Sequence, residues 1–499
     1  MISNVYLYEN DYIFLIPLSR LESRIMTSTK FIMPQNKLTK HQIKPMRNQT
    51  FLILLIPLLL GAGAARSQTT KLSGDSIFYQ MKKVADWQWK SLETAGWKNP
   101  KKDWTSGAMY TGMMAWAKLA NDESYYRKLI QVGEDNKWEV GHYRHFADDY
   151  CVGQLYSQLY TIYKEPKYIA DFKALADTIS MLPHTESLEW KNRIYLREWA
   201  WCDALFMGPP ALGYLTEATA DPKYLDKSVQ LWNKSTEYLY DKDEDLYYRD
   251  SRYFGKKEKN GKKVFWGRGN GWVIGGLVRL LSVMPAAHPE RKKLEQLFVR
   301  MSEKLAALQQ PDGSWHASLL DPESYPSKET SGTGFICYAM AWGINNHLLP
   351  DKKYLPVVNK AWLAMTTSVH PDGKLGYVQA QGAAPDKVGY DDTDVYGVGA
   401  FLLAGSEMLP LYLNHKEKVW IKEVYNGTAA PKKMVVALNW SDVTKKIKKA
   451  NPKKIFVRDA ATGESIPVVL TSMNEAPQVL RFSVDLSSGT SRYFQISAK

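Results

Sequence analysis

The feature that most constrains this chain is an alternation repeated six times. An amphipathic stretch with an ordinary polar face is followed by a stretch that is apolar nearly all round and dense in small residues. The apolar segments run 104–119, 146–160, 199–215, 266–281, 331–344 and 394–408, and the amphipathic ones 75–92, 124–136, 166–181, 222–240, 290–309 and 352–368. A helix that is apolar on every side must be buried on every side, whereas an amphipathic one covers it from outside. Six such pairs are satisfied by closing into a ring. The pairs are too long and too uneven in spacing for an open array of short helical repeats. The expected fold is therefore all-α, an (α/α)6 toroid. Gly107, Gly112, Gly153, Gly208, Gly275, Gly276, Gly397 and Gly399 lie in the inner segments and permit close helix approach. Each inner segment is preceded by a loop rich in aromatic, Gly and polar residues. These loops collect at one end of the ring, where a cleft is expected.

Past Leu413 the pattern becomes one of short β-branched runs around residues 419–421, 434–438, 455–457, 466–470, 479–484 and 493–496, separated by turn clusters such as Asn426-Gly427 and Ser487-Ser488-Gly489. That predicts a small C-terminal β-sandwich. The expected organisation is a leader over 1–67, a catalytic toroid over 68–415 and a β domain over 416–499.

Within the leader, Met46-Arg47-Asn48-Gln49-Thr50 precedes an apolar run from Phe51 to Leu60. Small residues follow, and Ala65-Arg66-Ser67 fits a small-x-small cleavage site. This is the anatomy of a secretory signal, too short to span a bilayer comfortably. Its distance from Met1 suggests that translation starts at Met46, so an exported protein without a membrane anchor is expected, periplasmic or secreted.

The net charge of +13 invites a nucleic-acid partner. Residues 1–67 hold 8 Lys/Arg against 3 Asp/Glu, residues 416–499 hold 15 against 7, and the remaining body holds 42 of each. The body is neutral, which removes most of the support for polyanion binding by the toroid. The lysines of 445–454 read as a solvated face, with attraction to acidic polysaccharide as the lesser alternative. Cys151, Cys202 and Cys337 fall within apolar helical segments and read as packing residues, neither a disulfide framework nor a zinc site. No metal motif, P-loop or nucleophile elbow is present, and no cofactor is expected.

Two acidic positions open inner segments beside aromatics: Asp148-Asp149, and Asp203 within Trp199-Ala200-Trp201-Cys202-Asp203. An Asp at a helix start commonly caps free amides. Two carboxylates at equivalent mouths of adjacent inner helices also suit general acid/base chemistry. A third signal is Phe265-Trp266-Gly267-Arg268-Gly269-Asn270-Gly271-Trp272, which places Arg268 between two Trp residues. A guanidinium framed by aromatic rings suits a sugar carboxylate, and it equally suits a structural Arg tying loops together. Trp104, His142, His145, Arg249, Trp315 and His316 are further cleft candidates. Asp391-Asp392-Thr393-Asp394 reads as a turn with a helix cap.

With Trp201-Cys202-Asp203-Ala204-Leu205-Phe206-Met207-Gly208-Pro209-Pro210 and the Trp266-Gly267-Arg268 motif, the chain resembles glycoside hydrolase family 105 over roughly residues 75–413. These are the unsaturated rhamnogalacturonyl hydrolases. The resemblance implies hydrolysis of lyase-generated oligosaccharides ending in a 4,5-unsaturated uronic acid. Asp203 would protonate C4 and activate water toward C5. Asp148 or Asp149 would be the second acid, with the spacing to Gly153 favouring Asp148. Arg268 and Trp272 would contact the uronate and Trp201 would be a cleft aromatic. Trp104, Trp266, His145, Arg249 and His316 complete the expected binding set. The family often has Tyr-His before Trp-Gly-Arg, where this chain has Tyr247-Tyr248-Arg249-Asp250, so pectin-type and glucuronate-ended substrates both stay open. The rivals are an ordinary inverting glycosidase or lyase on the same toroid, and a non-catalytic glycan-binding protein.

Overall fold

The computed structural model describes residues 72–498 apart from 73, 121 and short breaks at 417–419, 427–429, 448–449, 460–463, 474–475 and 488–490, with two strands near the start. Met1–Thr69 and Thr70–Lys499 are separate compact units. In the first, β1 (Leu7–Glu9) pairs antiparallel with β2 (Tyr12–Phe14). The signal segment expected at 46–67 lies outside the described residues.

The second unit carries the alternation seen in the sequence. Six amphipathic helices, α1 (Gly74–Ala95), α3 (Glu123–Asp135), α5 (Ala170–Met181), α7 (Lys223–Leu239), α9 (Arg291–Ala307) and α11 (Asp351–Thr366), alternate with six apolar ones, α2 (Trp104–Ala120), α4 (Gly153–Tyr163), α6 (Ala204–Thr219), α8 (Gly267–Val283), α10 (Thr330–Asn345) and α12 (Val395–Lys416). The apolar helices pack in the order α2, α4, α6, α8, α10, α12 and back onto α2, which closes the expected (α/α)6 ring. Residues 395–412 are apolar enough to cross a bilayer, but 78% of that stretch is buried within the fold, as an inner helix requires.

The small residues work as backbone contacts. A Cβ on Gly112 would lie 2.3 Å from the Gly399 carbonyl oxygen, and one on Gly276 would lie 2.3 Å from the carbonyl oxygen of Leu205. Pro209 and Pro210 sit inside α6. Proline has no N–H, so the carbonyls of Leu205 and Phe206 lose their helical donors. Gly276 is the residue that approaches Leu205, and Gln154 Nε2 donates to the Phe206 carbonyl at 2.9 Å. Arg279 Nε in turn donates to Gln154 Oε1 at 2.7 Å. The freed carbonyl thus becomes a polar tie across three inner helices.

A short hairpin, β3 (Tyr240–Asp241) with β4 (Leu246–Tyr247), follows α7. Beyond α12, β5 (Trp420–Tyr425), β11 (Ser491–Ala498), β7 (Ile455–Asp459) and β8 (Ser465–Ile466) form one sheet in that order. A second sheet orders β6 (Lys432–Asn439), β10 (Ala476–Leu486) and β9 (Val468–Met473). Val436, Leu438, Leu480, Phe482 and Val484 of one sheet share a core with Val457, Phe494 and Ile496 of the other. That i, i+2 pattern is what a half-buried strand imposes. A short α13 (Trp440–Lys446) between the sheets was not expected from the sequence.

Candidate active site

The starts of the inner helices converge. Trp104 at the start of α2 stacks on Tyr396 of α12 at 5.5 Å and meets Trp272 of α8 edge-on at 6.0 Å. A Cβ on Gly269 would lie 3.1 Å from Cys202 Sγ, and one on Gly332 would lie 3.1 Å from the Arg268 amide. The loops before these helices therefore line one end of the ring.

Asp203 occupies the residue before α6 with helical backbone angles, and its side chain makes no capping hydrogen bond. It is only 8% exposed. Its carboxylate oxygen lies 3.7 Å from Arg249 Nε, and the Cys202 thiol approaches its other oxygen at 3.9 Å. Burial pushes its pKa up to about 6, against the opposing charges of Arg249 and Arg268. Asp148 and Asp149 do not open α4, as the sequence suggested, but lie in a single 3-10 turn, Ala147–Tyr150, ahead of it. Burial, then the charges of Asp103, Asp203 and Asp149, drive the Asp148 carboxyl well above the usual carboxylate range. Asp149 is raised to about 6 by burial, while accepting the Tyr143 amide at 2.7 Å. A Cβ on Gly141 would overlap the Asp149 carboxyl, so that side chain is packed into the loop before the turn. The two acids therefore differ: Asp149 holds a loop through the Tyr143 amide, whereas burial and the charges of Asp103 and Asp203 act on Asp148.

The expected framing of Arg268 is corrected by the structure. Its guanidinium lies against Trp266 at 4.4 Å and Tyr396 at 4.9 Å, and Trp272 is not its second ring. Arg268 is fully buried, with Nη1 donating to the Gln379 carbonyl at 2.6 Å and Nη2 to the Ala380 carbonyl at 2.8 Å. It ties loops, and its charge acts on Asp203 after that of Arg249. Trp266 is buried and donates to Gln379 Oε1 at 3.0 Å. Trp272 is buried between Phe206 and Phe335. Trp315 is buried with its indole N–H on the Leu305 carbonyl. Cys151 and Cys202 are corrected too: all three cysteines are free and buried, but these two sit in the turns preceding helices.

His145 is half-buried, and burial followed by the His184 charge lowers its pKa. His316 is half-buried with Nδ1 3.2 Å from the Pro322 carbonyl oxygen. His142 is exposed and tilts over Tyr143 at 4.1 Å. Asp392 accepts the Gly389 amide and Asp394 the Val395 amide, the turn and cap roles read for that cluster.

Arg249 sits where several of these groups meet. Nη1 binds Asp250 at 2.6 Å, and the guanidinium lies over the Trp190 ring at 4.9 Å. Arg252 covers the same ring at 4.4 Å and donates to both Asp250 oxygens. Trp190 stacks on Tyr195 at 5.3 Å, and Phe146 stacks on Trp201 at 5.6 Å. Trp190, Tyr195, Phe146 and Arg252 were not singled out from sequence, although they stand in the aromatic loops ahead of inner helices. Asp103 was also missed. It precedes Trp104, accepts the Thr105 amide at 2.9 Å and hydroxyl at 2.6 Å, and has its pKa raised chiefly by burial.

Residues 79–412 match the model of glycosyl hydrolase family 88. The chain belongs to that family. It is a glycoside hydrolase. The motif resemblance pointed to family 105, a finer placement taken up below. A curated relative, the unsaturated 3S-rhamnoglycuronyl hydrolase of Formosa agariphila, is 37% identical over 380 residues, covering 73% of this chain and all of the relative. A solved glycosyl hydrolase family 88 structure from Bacteroides vulgatus is 31% identical with a TM-score of 0.61, covering 68% of this chain and 100% of its own. A solved polysaccharide lyase is 32% identical with a TM-score of 0.62, covering 68% of this chain and 98% of its own.

Proposed function

We infer that this family 88 hydrolase acts after export and removes 4,5-unsaturated uronic acid from the ends of lyase-generated oligosaccharides, with family 105 as its closer placement. The observation that carries this reading is Asp203: a buried carboxyl at a helix start, not spent on capping, with a pKa pushed up to about 6. Such a group is in part protonated near neutrality, the condition for giving a proton to a weakly basic carbon.

The chemistry follows from the enol ether. Asp203 delivers its proton to C4, and the positive charge is shared between C5 and the ring oxygen. Water adds at C5 and returns a proton to the Asp203 carboxylate. The resulting hemiketal opens by breaking its C5–O5 bond, leaving a ketone at C5. The hemiacetal at C1 then collapses and expels the attached saccharide as an alcohol. One water is consumed and Asp203 ends as it began. Asp148, held neutral by its surroundings, hydrogen-bonds the sugar or water without adding charge. Arg249 stabilises the transient Asp203 carboxylate.

The rhamnoglycuronyl name of the 37% relative favours a substrate with uronate joined to rhamnose over the pectin type. The test is the ultraviolet absorbance of lyase-generated oligosaccharides, which the conjugated uronate gives and its hydrated product does not. Decay with wild type and none with Asp203→Asn is expected. Rising absorbance would support a lyase, the second reading that the 32% structural relative favours. A flat trace on both glucuronate- and galacturonate-ended substrates would overturn the proposal.

A further inference from the structure

Within a body whose 42 basic and 42 acidic residues cancel, one short segment is out of balance. Gly255-Lys256-Lys257-Glu258-Lys259-Asn260-Gly261-Lys262-Lys263 carries five lysines and one acid. It forms a tight hairpin. Lys257 and Lys263 pair across an antiparallel bridge, the Glu258 amide donates to the Lys262 carbonyl at 2.8 Å, and the Gly261 amide donates to the Glu258 carbonyl at 2.9 Å. Gly255 and Gly261 sit at φ +74° and +82°, and a Cβ on either would meet nothing within 4 Å, so both stand in open space.

The charges of the hairpin are sorted by direction. Glu258 turns inward and accepts the Ser318 hydroxyl at 2.7 Å, and Asn260 Nδ2 donates to the Leu320 carbonyl at 2.8 Å. Lys263, at the base, is taken up by Asp241 at 2.6 Å. Lys256, Lys257, Lys259 and Lys262 are exposed, and among the described residues none of them pairs with a carboxylate. Four like charges on one hairpin repel one another, and the fold gains nothing by holding them together. Both ends of the hairpin are fastened to the site. Tyr253 carries Lys256 Nζ over its ring at 4.7 Å, and its hydroxyl lies in the fields of Asp250, Arg249 and Asp203. At the other end Ser318, which holds Glu258, is bridged to Trp266, whose ring lies against Arg268. The unpaired cations therefore stand at the rim of the cleft.

We propose that the 255–262 hairpin is a capture surface for the distal part of a polyanionic substrate, with Lys257, Lys259 and Lys262 attracting carboxylates carried further along the leaving oligosaccharide. This rests on the uronyl-hydrolase reading above and adds to it a preference for longer chains bearing several charges over a disaccharide. Solvated cations of this kind act on encounter and retention of the chain, not on proton transfer at Asp203.

The test uses two unsaturated uronyl oligosaccharides, one with no carboxylate beyond the terminal uronate and one with two more along the chain. Both are assayed with the full chain by loss of ultraviolet absorbance. Lys257→Gln, Lys259→Gln and Lys262→Gln are combined in one variant, since these exposed side chains hold no ion pair that folding depends on. In low salt the triple variant should lose on the order of tenfold in kcat/KM on the polyanionic substrate, through KM, and much less on the other. Added NaCl should erode the wild-type advantage and leave the rate of the variant nearly flat. Binding of a labelled oligouronate to Asp203→Asn, followed by fluorescence anisotropy, should weaken when the three substitutions are added. An oligonucleotide of equal charge that binds the hairpin more tightly than the oligouronate would reassign it to nucleic acid and overturn the proposal. If the triple variant matches wild type on both substrates at every salt concentration, the capture surface is refuted and the uronyl-hydrolase reading stands. If wild type consumes neither substrate, that reading itself fails, and the capture surface falls with it.

Discussion

Replacing Asp203 by Asn separates a catalytic acid from a structural ion pair, because the two predict opposite changes in stability. Asp203 is buried and its pKa rises from 3.8 unfolded to about 6 folded. For an acid this sign means that the unfolded state gives up its proton first. Stability contributed by the neutral carboxyl is therefore lost as pH rises between those two values. Taking 1.36 kcal/mol per pH unit, the carboxyl costs the fold little at pH 4 and about 3 kcal/mol at pH 8. Asparagine has nearly the same shape and no charge to desolvate. Arg249 has a second partner in Asp250, at 2.6 Å, that the substitution does not remove. Urea denaturation of wild type and Asp203→Asn across pH 5 to 8 should show the variant more stable, with the gap widening toward pH 8, while activity falls by at least a hundredfold. A variant less stable than wild type at pH 8 would refute the reasoning, since it would mean that the Asp203–Arg249 pair stabilises the fold.

The same titration sets a pH profile: kcat should decline as pH rises through about 6, where Asp203 loses the proton it must donate, and a rate still climbing at pH 8 would count against it. Asp148→Asn should cost more than tenfold in kcat/KM, whereas Asp149→Asn, which keeps an acceptor for the Tyr143 amide, should mainly loosen the 141–146 loop; kinetics and proteolysis of the two variants check this. Gly276→Ala would place a methyl 2.3 Å from the Leu205 carbonyl oxygen, so a loss of about 3 kcal/mol or an insoluble protein is expected, and a near-neutral denaturation midpoint would contradict the packing. Arg268→Lys, which loses the planar fork that meets the Gln379 and Ala380 carbonyls and lies against Trp266 and Tyr396, should destabilise the chain more than it alters KM.

The ring was legible in the sequence because burial acts on periodicity. Helices apolar all round, such as α2 and α10, can only be inner, and amphipathic α3 and α7 can only be outer. The position of Asp203 was legible for a related reason, since a carboxylate among Trp and Cys at a helix start has few reasons to be there. Arg268 was misread because sequence spacing says which rings are near in the chain, not which ring the fold delivers. Tyr396, 128 residues later, supplies the second face, and Gln379 and Ala380 supply the acceptors. Trp190 and Arg252 were missed for the same reason. They lie 62 positions apart, and the Trp190 amide, which donates to Ser251 Oγ at 2.8 Å, brings its ring beside Arg252.

The inner-helix starts also supply an internal control on what an acid there is for. Asp103 accepts the Thr105 amide and hydroxyl, and Glu329 accepts the Ser331 and Gly332 amides at 3.1 and 2.6 Å. Asp394 accepts the Val395 amide. These side chains do what the free amides of a first turn ask of them. Asp203 occupies the corresponding place on α6 and turns away from its helix toward Arg249. A capping carboxylate is stabilised as an anion by the amides it accepts and by the helix dipole, and at Asp103 this offsets only part of the effect of burial. Turning the same side chain off the helix removes those donors, and burial then outweighs the opposing charges of Arg249 and Arg268. Like α4 and α8, α6 begins without a side-chain cap, and the carbonyls that its prolines leave free are met by Gln154 and approached by Gly276.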